Sequence, residues 1–432
     1  MKEESTSNFG WVVVFICFII LALTYGVWYS FSVFFVALLK EFGWSRSTGA
    51  GAFSLFIVIQ SVVGPFAGAM VDRLGPRAVI LTGSLLLGAG LALSSTIQTW
   101  WQFYIFFGVI TATGLGTTGW IANSTIVQQW FQEKRGLAVG VISAGIGVGI
   151  LVCTPAAQYL INEVGWRTTY LIMACVVPLV NSSMAIGFLK RSPHDFDART
   201  SETKPPEVVT DDSWVLNKEW ASRTWTVRGA MATRPFWLLT VSFFVTGIST
   251  QSILTHQVAF FVDKGLEPLR ASYLVGMLGM ASMAGKILWG MMSDRKGREE
   301  TYFVGVFCAV FGLVSLIAYH FLAHPVLPYT YAFFFGLGYA IAAVLPAIVT
   351  ADFFAGRSFG GIFGAIMVLN GLGGAFGAWL AGFIHDHLHS YLSVFVIMIV
   401  CFVVAGYAIW VAAPRKFVVV PGKRSRNEKC LK

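Results

Sequence analysis

The sequence predicts an all-α integral membrane protein with twelve transmembrane helices in two pseudo-symmetric six-helix bundles. Three observations predict this fold class: the composition, a series of long apolar segments, and an internal repeat. Of the 432 residues, 56% are hydrophobic and 12% are charged, whereas about a quarter of the residues in an average soluble domain are charged. The composition therefore indicates that lipid surrounds most of the chain.

The apolar segments give the number of spans. A bilayer core about 30 Å thick requires roughly 20 apolar residues for each helix that crosses it. The first apolar segment is too long for the core of a signal peptide and has no small-residue cleavage site, so we expect it to be retained. The predicted spans lie near residues 11–36, 50–71, 78–98, 102–130, 136–161, 168–189, 236–262, 271–293, 302–322, 328–351, 359–384 and 391–413.

The positive charges predict the orientation. With both termini in the cytoplasm, 24 of the 30 Lys and Arg residues lie on the cytoplasmic side, five lie outside and Lys286 lies within a span. Cytoplasmic loops of membrane proteins carry such an excess of Lys and Arg. We therefore expect a multi-pass protein of the cytoplasmic (inner or plasma) membrane with both termini inside.

One long polar stretch divides the chain. Residues 190–234 contain two adjacent prolines and several charges, which is typical of a linker. We therefore expect an N-terminal six-helix bundle at 1–189, a cytoplasmic linker at 190–234, a C-terminal six-helix bundle at 235–413 and a basic cytoplasmic tail at 414–432.

A Gly-x-x-x-Asp-Arg-x-Gly pattern follows span 2 and recurs after span 8, 222 positions later, and residues 114–116 repeat at 336–338 with the same offset. Because separate sites are related by the same offset, we expect the two halves to be structural repeats. The glycine allows neighbouring helices to approach, and the aspartate can meet amide donors at a helix end or an arginine of a nearby span. The residues that we expect to form a conformational latch are Gly68, Asp72, Arg73, Arg77, Gly290, Asp294, Arg295 and Arg298.

This repeated pattern resembles the signature loop of the major facilitator superfamily, and the resemblance covers the whole chain. Residues 225–237, 131–140 and 352–386 are similar to segments of monocarboxylate porters and oxalate/formate-type antiporters. The resemblance implies transport of a small organic anion by alternating access.

Lys286 is the one strong cation deep in a span, about seven residues or ~10 Å from the cytoplasmic end of predicted span 8. An isolated charge there costs about 2.5–3.5 kcal/mol, and all 21 Asp and Glu residues lie in loops, tails or at span ends. An anionic substrate would supply the missing counter-ion. Alternatively, the side chain extends toward the cytoplasmic interface. Related porters usually have Arg here, so Lys replaces a bidentate fork by a single point charge.

Other polar and aromatic residues of the spans are candidates for substrate binding. Asn123, Tyr339 and Asn370 can each donate a hydrogen bond to a carboxylate, although polar contacts between helices explain them equally well. Tyr29 of span 1 would line the cavity or pack against its neighbours. His256, toward the outer end of span 7, would relay protons or serve as a hydrogen-bonded structural histidine.

Several other function classes lack the sequence features that they need. We find no catalytic constellation, Walker loop or dinucleotide motif near a span, so we expect neither an enzyme nor a cofactor. The six cysteines show no metal spacing, and no motif indicates nucleic-acid binding. We expect a secondary transporter of a monocarboxylate such as lactate or pyruvate, with or without proton symport. An exchanger of oxalate/formate-type anions and a transporter-like sensor are the alternatives, and the oligomeric state stays open.

Overall fold

The computed structural model describes residues 2–130, 135–189, 220, 223–354 and 359–417. Within these ranges the regular structure is helical and contains no strand. The predicted linker and the basic tail lie mostly outside the described residues.

Eleven helices are long and apolar enough to cross a membrane, and one of them contains two spans. Gly165 interrupts the longest helix with a non-helical backbone (φ 79°, ψ 162°), so the described helices provide twelve candidate spans. This confirms the predicted fold class. The bounds are Lys2–Phe42, Arg46–Leu74, Pro76–Ser94, span 4 from Trp100 to Trp130, Arg135–Phe188 for spans 5 and 6, Arg234–Asp263, Pro268–Lys296, Arg298–Leu322, Leu327–Phe354, Phe359–Leu388 and Leu392–Ala412.

Two short turns link spans 2 and 3 and spans 8 and 9 in the same way. Gly75 (φ 83°) and Gly297 (φ 120°) each separate one helix from the next by a single residue. An L-residue with a side chain rarely adopts such a positive φ, so glycine is required at both turns. The repeated sequence pattern therefore corresponds to a repeated turn.

Span 4 is irregular. Its helical turns widen into a π-helix at Tyr104–Thr111 and break at Gly119, whose backbone is extended (φ −80°, ψ −159°). Such a break leaves carbonyl groups without helical partners, and in a membrane these groups must be satisfied by other protein donors.

Close helix pairs recur in the two halves. Span 5 approaches span 1 at Gly149, where a Cβ atom would collide with the carbonyl of Ala22, and span 11 approaches span 7 at Gly373, where it would collide with the carbonyl of Phe244. Small residues permit this approach in helices that pack within a membrane.

The contacts divide the chain into two units. The first contains residues 1–201, 253–280 and 378–391, and the second contains residues 202–252, 281–377 and 392–432. The first unit thus includes one end of each of spans 7, 8 and 11. The bundle boundaries derived from chain order, 1–189 and 235–413, stay a prediction.

Candidate functional site

Lys286 lies in the second unit, in the helix Pro268–Lys296 and about 15 Å from its last residue. The side chain is half-buried. Among the described residues it has neither a hydrogen bond nor an ion pair, whereas Arg46 and Arg298, which start their helices, each bind a carboxylate. Lys286 is therefore a cation within a span whose charge the described protein does not neutralise.

Spans 8 and 10 are in close contact on either side of Lys286. A Cβ atom at Gly285 would lie 2.8 Å from the Cβ of Ala340, and the indole N–H of Trp289 donates to the carbonyl of Leu337 at 2.7 Å. Trp289 is only 2% exposed. These contacts fix the rotation of span 8 about its axis and hence the direction in which Lys286 leaves it.

Tyr339 and Ser282 accompany Lys286 in the second unit. Tyr339 is half-buried and adjoins Ala340, so it lies next to the contact between spans 8 and 10. Ser282 is one helical turn before Lys286, and its buried hydroxyl has no partner among the described residues. Of the predicted substrate ligands, Lys286 and Tyr339 are thus carried by helices that touch each other.

Asn370 forms a contact between helices. Its amide donates to the carbonyl of Phe243 in span 7 at 2.7 Å, and Gly247 packs against its backbone. This arrangement is the polar helix contact that the sequence allowed as the alternative to substrate binding. Its role in binding stays a prediction.

Asn123 stabilises the break in span 4. Its side-chain amide donates to the carbonyls of Thr118 and Gly119, at 2.7 and 3.0 Å, where the helix is interrupted. The amide oxygen is buried without a partner in the described part of the chain. The N–H donors of Asn123, which we expected to bind a substrate, therefore bind main-chain carbonyls instead. Only the amide oxygen of Asn123 has no partner among the described residues.

Tyr29 belongs to an aromatic group in the first unit. It is 8% exposed, and its ring lies 6.4 Å from that of Trp28. Trp28 in turn packs edge-on against Phe53 and Phe56 of span 2. Trp28 thus packs against span 2, and Tyr29 packs against Trp28; the role of Tyr29 in lining a cavity stays a prediction.

Two of the four predicted latch residues of the second half, Asp294 and Arg298, form an ion-pair cluster with Asp352 and Ser293, which we call the Arg298 cluster. The guanidinium group of Arg298 donates to Asp352 at 2.9 Å, to Asp294 at 2.9 Å and to the hydroxyl of Ser293 at 2.8 Å. Arg295 is exposed, and a Cβ atom at Gly290 would meet open space. The expected close helix approach at Gly290 is thus not present in this conformation.

The first half differs in its latch loop. Gly68 does allow a close approach, because a Cβ atom there would lie 3.0 Å from the side chain of Ile121. Arg73 is exposed and Arg77 is half-buried, and neither has an ion pair with another described side chain. The side chain of Asp72 lies outside the described part of the structure.

A second ion-pair cluster, which we call the Arg46 cluster, lies in the first unit. It comprises Arg46, Asp263, His385, Asp386, Tyr391 and His256. Arg46 donates two hydrogen bonds of 2.7 Å to Asp263 and one of 2.5 Å to the phenol oxygen of Tyr391. The carboxylate of Asp386 accepts from the backbone N–H groups of Arg46 and Ser47, both at 2.8 Å. A carboxylate there satisfies free amide groups at the start of span 2 and complements the helix dipole.

His256 is buried in this cluster, with 3% of its surface exposed. Its Nδ1 lies 3.0 Å from the phenol oxygen of Tyr391, its Nε2 lies 2.9 Å from the carbonyl of Ala378, and the ring of Phe35 packs edge-on against it. Both ring nitrogens thus have protein partners.

The sequence did not identify Asp352, Asp263, Asp386, Tyr391 or Trp289 as partners in these contacts. Their signal was weak: each lies at or near a helix end or among apolar residues, and their partners are distant along the chain. Arg46 bonds to Asp263 and Tyr391 across 217 and 345 positions.

Comparisons with known proteins agree with this architecture. The model of the Major Facilitator Superfamily matches residues 15–378. The chain is 27% identical over 436 residues to Monocarboxylate transporter 13 of Rattus norvegicus, covering 99% of this chain and 94% of that protein. It is also 27% identical over 404 residues to Monocarboxylate transporter 4 of Gallus gallus, covering 90% and 80%.

A solved structure shares the fold. The crystal structure of a bacterial homolog of the human lysosomal transporter Spinster superposes with a TM-score of 0.71 at 15% identity, covering 95% of this chain and 98% of that one. With the family match over most of its length, this chain therefore belongs to the Major Facilitator Superfamily and is a multi-pass membrane transporter, not an enzyme.

Proposed function

We propose that this protein carries a small monocarboxylate, such as lactate or pyruvate, across a cytoplasmic membrane by alternating access. The observation that carries the proposal is Lys286, a cation within a span that has no ion-pair partner among the described residues. Removing an ammonium group from water is costly unless a counter-ion or a water-filled cavity compensates it. A substrate carboxylate that binds Lys286 supplies that counter-ion, and Tyr339 donates to the same anion. The relatives named as monocarboxylate transporters support this substrate class.

A single cation favours a monoanion over a dianion. Span 11, which carries the predicted substrate ligand Asn370, contains no Lys or Arg between residues 359 and 383. A dianion such as oxalate would therefore leave one carboxylate without a cationic partner. Exchange of oxalate/formate-type anions is the alternative within the same protein class, and a transporter-like sensor would bind the anion without moving it.

The Arg46 cluster fits alternating access. In the proposed topology, with both termini in the cytoplasm, this cluster lies at the outer end of the spans and joins Arg46 of the first bundle to Asp263 and Asp386 of the second. The bundles at 1–189 and 235–413 then rock about the substrate, and the Arg46 cluster breaks when the outer end opens. The Arg298 cluster lies at the cytoplasmic end and within the second bundle, so it moves with that bundle.

Counterflow in proteoliposomes tests the substrate. Vesicles loaded with unlabelled lactate, pyruvate, formate or oxalate are diluted into labelled lactate, and trapping of label is measured. We expect trapping with lactate and pyruvate and its loss in Lys286→Ala. Lys296→Ala, which changes an exposed lysine of the same helix, is the matched control and is expected to retain it. Trapping by Lys286→Ala at the wild-type rate would refute the role of Lys286.

An imposed pH gradient tests the coupling. Proton symport predicts that acid outside drives lactate accumulation into empty vesicles. Accumulation that instead requires an internal anion, and does not respond to the gradient, would establish exchange. Saturable binding without any flux would establish a sensor.

A further inference from the structure

The hydrogen bonds of the Arg46 cluster have a defined direction. Arginine only donates and a carbonyl oxygen only accepts. Tyr391 therefore accepts from Arg46, and the Nε2–H of His256 donates to Ala378. In a neutral imidazole the other nitrogen is an acceptor, so the phenol O–H of Tyr391 donates to Nδ1 of His256. With His256 uncharged, each hydrogen bond from Arg46 through Tyr391 and His256 to Ala378 thus has one donor and one acceptor.

A protonated His256 conflicts with the same arrangement. A proton on Nδ1 would convert that nitrogen into a donor, so the phenol O–H of Tyr391 would lose the acceptor that it has on His256. A second cation would also lie beside Arg46 in a buried site, where like charges repel more strongly than in water. The two carboxylates of the cluster are already bonded, Asp263 to Arg46 and Asp386 to the backbone N–H groups of Arg46 and Ser47. The cluster as described therefore favours the neutral ring.

The cluster joins segments from the two halves of the sequence. Phe35 belongs to span 1 and Arg46 to span 2. His256 belongs to span 7, Asp386 to span 11, and Tyr391 is the residue before span 12. If these segments separate, Arg46 and Phe35 leave His256, and the ring becomes open to water.

We infer that His256 is a proton-binding site that fills only when the Arg46 cluster is open. In the open form, Nδ1 takes a proton from water and no longer needs the hydroxyl of Tyr391. Because the proton binds one conformation and not the other, acid shifts the population toward the open form. Within the proposed transport function, on which this consequence rests, the site would couple proton binding to opening of one end.

Other titratable groups near His256 need separate controls. From span 2 the nearest is Arg46, from span 11 His385 and Asp386, from the segment before span 12 Tyr391, and from its own span Asp263. His385 lies 3.9 Å from Asp263 and is the second imidazole of the cluster, a group whose charge can change with pH. It is therefore the control that matters most.

Electron-spin distance measurements test the inference without any substrate. Nitroxide labels are attached at Lys40→Cys and His387→Cys, two exposed positions on spans 1 and 11, in a background with the native cysteines replaced. We expect the longer-distance population to grow between about pH 7.5 and about pH 5.5, the range in which histidine titrates. His256→Gln should lose this growth, and His385→Gln should keep it.

An unchanged distance distribution in the wild-type background would overturn the inference, as would full acid response in His256→Gln. His256→Asn provides a second uncharged variant if the glutamine variant does not elute as a single species. Because no anion is present, failure here leaves the proposal for Lys286 intact, and loss of lactate trapping leaves the proton site intact.

Discussion

Arg298 and Lys286 are both cations of the second unit, twelve residues apart, but their surroundings differ. Arg298 binds two carboxylates and a hydroxyl, and its side chain is 10% exposed. Lys286 has no partner among the described residues. A buried pair is costly to break because the remaining charge is left alone. We interpret the difference as two roles: Arg298 stabilises the fold, whereas Lys286 is the proposed ligand of the transported anion.

The largest expected effect follows from breaking the Arg298 cluster. Arg298→Ala leaves the carboxylate of Asp352, 12% exposed, without its cation, and such losses cost about 3–5 kcal/mol. We expect a strongly lowered thermal unfolding temperature in detergent. The double variant Arg298→Leu/Asp352→Leu should recover much of the lost unfolding temperature, because it leaves no unpaired charge. If both variants lower the unfolding temperature equally, the unpaired Asp352 carboxylate is not the cause of the destabilisation.

The next effect has the opposite sign. Lys286→Met removes an uncompensated charge from a span, so it should stabilise the empty protein by up to about 2.5 kcal/mol. We expect a raised unfolding temperature together with lost lactate trapping. Lys296→Met is the matched control and should change neither. A lowered unfolding temperature for Lys286→Met would mean that Lys286 has a structural partner.

A smaller effect is expected for Arg46→Gln. Asp263 is 39% exposed, and an ion pair of this kind contributes about 1 kcal/mol or less. Stability should therefore change little, but the Lys40–His387 label distance should lengthen already at neutral pH. The exposed pair Arg270 and Glu267 offers a control, since Arg270→Gln should leave that distance unaltered.

Trp289→Phe should have the smallest effect. It keeps an aromatic side chain, with a smaller ring, but removes the hydrogen bond to Leu337, and such bonds between membrane helices average about 0.6 kcal/mol. We expect lactate affinity to fall by less than about threefold, with trapping capacity retained. Trp237→Phe removes an exposed indole bond to Met231 and should leave affinity unchanged; equal effects of both variants would exclude a positioning role for Trp289.

The sequence predicted the fold because its signals are local. The length of each apolar segment predicts a span. The repeated turns at Gly75 and Gly297 need a positive φ that glycine supplies. The helices extend beyond several predicted windows, for example to Phe42 in span 1, because a helix continues past the bilayer while its residues remain helix formers.

The partners of the polar residues could not be predicted in this way. Asn123 and Asn370 stand out in apolar sequence, but only the structure places their amides on carbonyls, at the break of span 4 and on span 7. The Arg46 cluster joins residues that are far apart in sequence and outside the repeat register. Lys286 could be identified from sequence because its distinguishing property is the absence of a nearby carboxylate.

Ligand-induced stabilisation shows whether Lys286 binds the transported anion, because a bound ligand raises the unfolding temperature according to its occupancy. The unfolding temperature is measured with increasing lactate for the wild type, Lys286→Met and Lys296→Met. We expect a saturable rise in the wild type and in Lys296→Met and none in Lys286→Met. A rise of wild-type size in Lys286→Met would contradict the claim that Lys286 binds the transported anion.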